Sequence, residues 1–138
     1  MRWRVQVVDS SVVIRAATST DSKERERLQD VIGASPNVIA HVLAECFSTL
    51  TRLPQPFRLS PQRCFTYLSS AFRTDPLTLS SGGYLRVLEL VADHGISGGA
   101  IYDCLVAETA REHGATLMSL DRRAAGSYAM IGATHELL

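Results

Sequence analysis

The chain has no excess of either charge. Its 14 basic residues face 14 acidic ones, and Lys23 is the single lysine among them. That balance argues against a surface that is basic throughout, the usual footprint of a nucleic-acid binder. No apolar run reaches the roughly 18 residues that a membrane helix needs, which excludes a helical membrane span. The three cysteines, Cys46, Cys64 and Cys104, are odd in number and lack CxxC spacing. They exclude a disulfide frame or a zinc site and read as small buried hydrophobes in a reducing compartment. His41, His94, His113 and His135 show no metal-ligand spacing, and neither glycine pair is followed by the G-K-[ST] of a phosphate loop. There is no internal repeat, low-complexity tract or linker.

What is present is an ordinary globular composition, 46% apolar and 20% charged, which is far from disorder. The 138 residues suit one domain spanning 1–138 with one core. Met1-Arg2-Trp3-Arg4 and the valines after it have the outline of a signal segment. Asp9 and Arg15 interrupt its apolar region, so the chain is read as cytoplasmic.

The order of elements alternates. The β-branched run from Arg4 to Val8 predicts a strand, and a helix follows from Ser11 to Ala17. Asp21 and Glu24 have capping-box spacing for a charged helix running to about Ile32. Val38–Ala40 reads either as a short strand or as the start of a helix. From His41 to Arg52, Val42, Leu43, Cys46, Phe47 and Leu50 form one apolar stripe at helical spacing, stopped by Pro54 and Pro56. Pro61 opens a helix to about Phe72. Leu77–Leu79 suggests a brief strand. Ser80 or Ser81 caps a helix through Asp93 with Leu85, Leu88 and Val91 inward. Gly98-Gly99 turns the chain into a helix from Ala100 to Glu112. A strand at Ala115–Ser119, a helix from Arg122 to Met130 and a strand at Thr134–Leu137 complete the chain. Strands alternating with helices predict an α/β domain with a mainly parallel sheet.

Four acids stand out against apolar or small neighbours: Asp9, Glu45, Asp103 and Asp121. Asp9 and Asp121 each follow a strand directly, at the carboxyl edge where parallel sheets bind ligands. Glu45 lies about 60° outside the apolar stripe of its helix, at a boundary position. Asp103 shares a helix face with Ala100 and Ala107, whose small size permits close approach. Each acid alone has a plain explanation. Asp9 and Asp121 could cap the helices that follow, Glu45 could be solvated, and Asp103 could pair with an arginine. Together the four would repel one another and hold protons unless a cation offsets their charge. Mg²⁺ or Mn²⁺, which favours oxygen ligands, suits that role, and phosphodiester hydrolysis is the chemistry that follows. Setting the four apart leaves 10 acidic residues against the 14 basic ones, a remainder of 4 positive charges. Arginine, with its planar fork, supplies nearly all of them and matches phosphate.

The chain resembles the PIN domain, and specifically the VapC toxins of type II toxin–antitoxin pairs. The resemblance covers nearly the whole length. It is carried by Val8-Asp9-Ser10-Ser11-Val12, Val42-Leu43-Ala44-Glu45, Gly98-Gly99-Ala100-Ile101-Tyr102-Asp103-Cys104-Leu105-Val106-Ala107 and Leu117-Met118-Ser119-Leu120-Asp121-Arg122-Arg123-Ala124. It implies a three-layer α/β/α fold and an Mg²⁺- or Mn²⁺-dependent endoribonuclease. By motif, Asp9 and Asp103 look like direct metal ligands. Glu45 and Asp121 look like the other acids, holding metal-bound water or a second ion. Ser11 resembles the hydroxyl that supports the first aspartate. The resemblance further implies a VapB-like antitoxin, a homodimer and a transfer- or ribosomal-RNA substrate. Two positions depart from the family pattern. Ser119 stands where Thr is common and keeps the hydroxyl; Cys104 stands where Ala is common, a matter of packing.

Other readings are weaker. Gly95-Ile96-Ser97-Gly98-Gly99 matches the G-x-S-x-G elbow of serine hydrolases, but the elbow must follow a strand and Leu85–Asp93 has helical spacing. The mixed-sign run Lys23–Arg27 reads as a solvated face. Arg122 and Arg123 suit either phosphate contact or plain surface. A catalytically silent PIN-like binding module, acting only in a repressor complex with the antitoxin, is the alternative of a different class.

Overall fold

The first strand, β1 (Val5–Val8), pairs in parallel with β2 (Ala115–Ser119), from Val5 opposite Ala115 to Val8 opposite Met118. On its other side β2 pairs in parallel with β3 (His135–Leu137), giving a three-stranded sheet in the order β1-β2-β3. The computed structural model describes residues 5–138. Arg4, expected to begin the first strand, and the signal-like outline at Met1–Arg4 lie outside the described residues.

Val7 and Val8 are both fully buried. Successive strand residues point to opposite faces, so both faces of the sheet are covered, as a three-layer α/β/α arrangement requires. Six helices separate β1 from β2: α1 (Ser10–Thr18), α2 (Ser22–Gly33), α3 (Ala40–Leu50), α4 (Pro61–Ala71), α5 (Ser81–Asp93) and α6 (Ala100–Glu112). α7 (Arg122–Ile131) links β2 to β3. Among the described residues no helix is long and apolar enough to cross a membrane.

The local signals act where the sequence places them. Ser60 and Ser80 cap α4 and α5 by accepting from the amides of Arg63 and Gly83, and Pro61 occupies the first turn of α4. The Asp21 carboxylate accepts from the amides of Lys23 and Glu24, at 2.9 and 3.3 Å. The return half of that capping box does not form. The Asp21 amide donates to Ser19 Oγ, and Glu24 pairs with Arg15 at 3.3 Å, tying α2 to α1. Val42, Cys46 and Leu50 carry the buried stripe of α3, while Phe47 is partly exposed. All three cysteines are buried and free.

Two expectations are corrected. The strand suggested at Leu77–Leu79 reduces to one parallel bridge, Leu77 opposite Ile39, and of the two readings of Val38–Ala40 the helix start holds. The chain enters α3 at Ala40, directly after the bridge, so the ladder has no room to lengthen. On α5 the inward residues are Gly83, Val87 and Val91; Leu85 and Leu88 are 66% and 50% exposed. Gly83 on that face packs against Leu79, whose side chain an added Cβ would push aside.

Candidate active site

Asp9 ends β1 and caps α1. Its amide donates to Met118 O at 3.0 Å, fixing it to the end of β2. Its Oδ1 accepts from the Ser11 amide at 3.0 Å and from the Ser11 hydroxyl. Its Oδ2 accepts from the Tyr128 hydroxyl at 2.7 Å. Asp9 is almost fully buried, and these bonds satisfy a carboxylate that would otherwise be costly to bury. Burial, followed by the charge and hydrogen bond of Asp9, pushes the Tyr128 phenol well above its ordinary value, so it stays a donor.

Ser11 joins two strand ends. Its hydroxyl, bound to Asp9, also accepts from the Leu120 amide at 2.9 Å. Ser119 Oγ accepts from the Asp121 amide at 2.9 Å, so the hydroxyl retained at that position shapes the turn that carries Asp121. Asp121 caps α7, accepting from the amides of Arg123 and Ala124 at 2.9 and 3.3 Å. Capping therefore does explain Asp9 and Asp121 locally, yet it also holds both at the same sheet edge. Ser11→Ala is expected to cost about 1–2 kcal/mol, because it removes one bond to a carboxylate and orphans one amide. For a chain of this size that is a fall of roughly 3–6 °C in Tm, and an unchanged melting curve would contradict the bridging role.

Glu45 stands half-buried on α3. Ser10 Oγ donates to its Oε2 at 3.1 Å, and His41 Nε2 lies 3.1 Å from its Oε1. The His41 ring stacks on Tyr102 of α6, with centroids 5.4 Å apart and planes within 10°. Asp103 sits in the first turn of α6. Its carboxyl is held above the usual carboxylate range, first by burial and then by the charges of Glu45, Asp121 and Asp9, against a smaller opposing effect from Arg123. Asp103 thus lies within the fields of the other three acids.

The donor set, four carboxylates in mutual repulsion, fits a hard divalent cation. The side chains do not close on a single point. Among the described residues no three Asp, Glu, His or Cys groups lie close enough to form a metal-binding cluster. The hydrogen bonds show why. Asp9 is turned to Ser11 and Tyr128, Asp121 to the α7 amides, and Glu45 to Ser10 and His41. Repulsion favours the separated arrangement.

The sequence reading missed Tyr128, His41 and Glu108. Tyr128 lies on the buried α7 face with Ala124 and Ile131, a spacing that marks core but not a bond to Asp9, 119 residues away. His41 has an i,i+4 relation to Glu45 that was open to inspection. Glu108 stands in a buried run of α6, as isolated as the four acids singled out, and pairs with Arg86 and Arg111. His94 and His113 end helices, and His135 meets the Tyr128 ring edge-on. Ser97 lies in the loop between α5 and α6 with no strand before it, so the hydrolase elbow is not formed. Cys104 is fully buried, consistent with a packing role.

A family model of the PIN domain matches residues 7–127. Ribonuclease VapC40 of Mycobacterium tuberculosis is 34% identical over 130 residues, covering 94% of this chain and 96% of that protein. Ribonuclease VapC27 of the same organism is 38% identical over 125 residues, covering 91% and 90%. Among solved structures, FitAB bound to an IR36 DNA fragment has a TM-score of 0.70 at 17% identity, covering 95% of this chain and 93% of that one. VapBC2 from Rickettsia felis, bound to a DNA fragment from its promoter, has a TM-score of 0.68 at 14% identity, covering 96% and 98%. The match of most of the chain to the family model, and its identity to two VapC proteins over nearly their whole length, establish that it belongs to the PIN domain family, among the VapC proteins.

Proposed function

We propose that the protein is a metal-dependent endoribonuclease, the toxic half of a type II toxin–antitoxin pair, acting in the cytoplasm. The observation that carries this reading is how the start of α1 ties acids together at the carboxyl edge of a parallel sheet: Ser10 bonds to Glu45, which shares a cavity with Asp103, and Ser11 bonds to Asp9 and to the Leu120 amide beside Asp121. That edge is where such folds bind ligands. Membership among the VapC proteins, whose two relatives bear the name ribonuclease, supports RNA as the substrate.

Asp9 and Asp103 are the residues that would hold Mg²⁺ or Mn²⁺, with Glu45 and Asp121 orienting water or holding a second ion. When bound, such a cation offsets the carboxylate charge, acidifies water and stabilises a phosphoryl group under attack. The protein's own part is positional. Tyr128 and Ser11 fix the Asp9 carboxylate, Ser10 and His41 fix Glu45, and the first turn of α7 fixes Asp121. Water is the nucleophile in this scheme, so the 2′-hydroxyl is not consumed. A VapB-like antitoxin is the proposed partner, a homodimer the proposed assembly, and transfer or ribosomal RNA the proposed substrate.

The test is cleavage of end-labelled transfer and ribosomal RNA by the purified protein. Cleavage is expected with Mg²⁺ or Mn²⁺, to stop with EDTA and to return with excess cation. Cleavage indifferent to EDTA would overturn the metal dependence. A wild-type protein that cuts no RNA yet binds its antitoxin would be the silent repressor module instead.

A further inference from the structure

We propose that RNA lies as a single strand across the four carboxylates, with a backbone phosphate held by Arg15, Arg122 and Arg123 on one side and an unpaired base stacked on Tyr102 on the other. The proposal rests on the ribonuclease reading and assigns its substrate subsites. Two cavities carry it. One, of about 480 Å³, is lined by Glu45 and Asp103 together with His41, Tyr102, Arg52 and Gly99. The other, of about 520 Å³, is lined by Asp121 and Ser11 together with Arg15, Thr18, Arg122 and Arg123. Glu45 and Asp103 line the first and Asp121 the second. Consecutive residues at the start of α1 link the two: Ser10 bonds to Glu45 in the first cavity, and Ser11 bonds to Asp9 and to the Leu120 amide beside the second.

The two cavities have different chemistry. The second presents three guanidinium groups around one acid. Arg123 is 94% exposed and lies 3.7 Å from Asp121, and Arg15 pairs with Glu24 through Nε alone among the described residues. Such forks match phosphate oxygens. The first presents an aromatic surface. His41 stacks on one face of Tyr102, and the residue is still 53% exposed. Bases stack on such platforms with little sequence preference, and only unpaired bases are free to do so.

The test is fluorescence anisotropy of a labelled single-stranded RNA of roughly 12 nucleotides, in EDTA so that binding is read without cleavage. Arg122→Ala/Arg123→Ala is expected to weaken binding about tenfold and to reduce the slope of log K against log salt by about 0.7, one phosphate's worth. The paired lysine replacement should keep the slope. Tyr102→Ala is expected to weaken binding about tenfold with the slope unchanged, and Tyr102→Phe to restore it. These side chains are exposed, and circular dichroism would verify folding. The proposal is overturned if the arginine pair leaves the slope unaltered, if Tyr102→Ala binds like wild type, if a duplex of the same sequence binds as tightly, or if wild type does not bind. Its failure is separable from failure of the ribonuclease reading. Cleavage by wild type with binding indifferent to these residues sinks only the subsites. Binding that depends on them without cleavage sinks only the enzyme.

Discussion

Asp103→Asn is expected to lower RNA cleavage by about 10²–10³-fold, the scale of losing one preorganised electrostatic partner of the reaction, while making the metal-free protein more resistant to heat. The two effects have one cause. Asp103 carries a raised carboxyl pKa because burial and three neighbouring acids disfavour its charge. The native state therefore binds its proton more tightly than the unfolded chain does. Stability falls as pH rises from the unfolded value toward the raised native one, and the full cost is present above that window. Asparagine has no charge to disfavour. In EDTA near pH 7 the variant should melt above wild type, and the difference should vanish once the pH falls below about 4, where both forms are neutral. Differential scanning at several pH values measures this, with cleavage assayed in Mg²⁺. A variant that melts below wild type in EDTA, or that cleaves normally, would remove Asp103 from the acidic centre.

Arg86→Leu is expected to destabilise the fold by about 3 kcal/mol, the low end for breaking a buried ion pair, or roughly 10 °C in Tm. Glu108 is 1% exposed and is held between Arg86 of α5 and Arg111 of its own helix, the latter at 2.7 Å. Arg86 also donates to Ile131 O at 3.3 Å, at the end of α7. Removing Arg86 leaves a buried carboxylate half-paired and a terminal carbonyl without its donor. Arg111 remains, which keeps the loss at the low end. Glu108→Gln is expected to cost only about 1 kcal/mol, since both arginines are partly exposed and recover water when their partner's charge is lost. The joint change to Arg86→Leu/Glu108→Leu should regain much of the single loss. Urea unfolding of wild type and the three variants measures these costs, and equal costs for the two single changes would refute the role of buried charge.

The helices and their starts were legible because their causes are local. Serines and aspartates ahead of apolar spacing mark caps, and Pro61 marks a first turn. The start of α6 follows from the glycine turn at Gly98-Gly99. Asp9 and Asp121 were legible at the sheet edge because each follows its strand by one or two residues. The α5 face was not legible. Leu85 and Leu88 suggested it by hydropathy, whereas Gly83, Val87 and Val91 are the residues that pack inward. Likewise, the short Val38–Ala40 and Leu77–Leu79 segments contain strand-forming residues, but the immediate start of α3 leaves only one bridge.

By itself the sequence determined the alternation of elements, the caps at Asp9, Asp21, Ser80 and Asp121, and the placement of two acids at strand ends. These depend on backbone preferences and side-chain spacing over one turn or one strand. Only the tertiary structure decided that Tyr128 holds Asp9, that Ser10 and His41 hold Glu45, and that Arg86 reaches Glu108. Most of these partners are tens of residues apart, and no local preference encodes which of them meet. Close packing of the helices on both faces of the sheet selects them, and it also leaves Asp103 among three like charges whose repulsion the site retains.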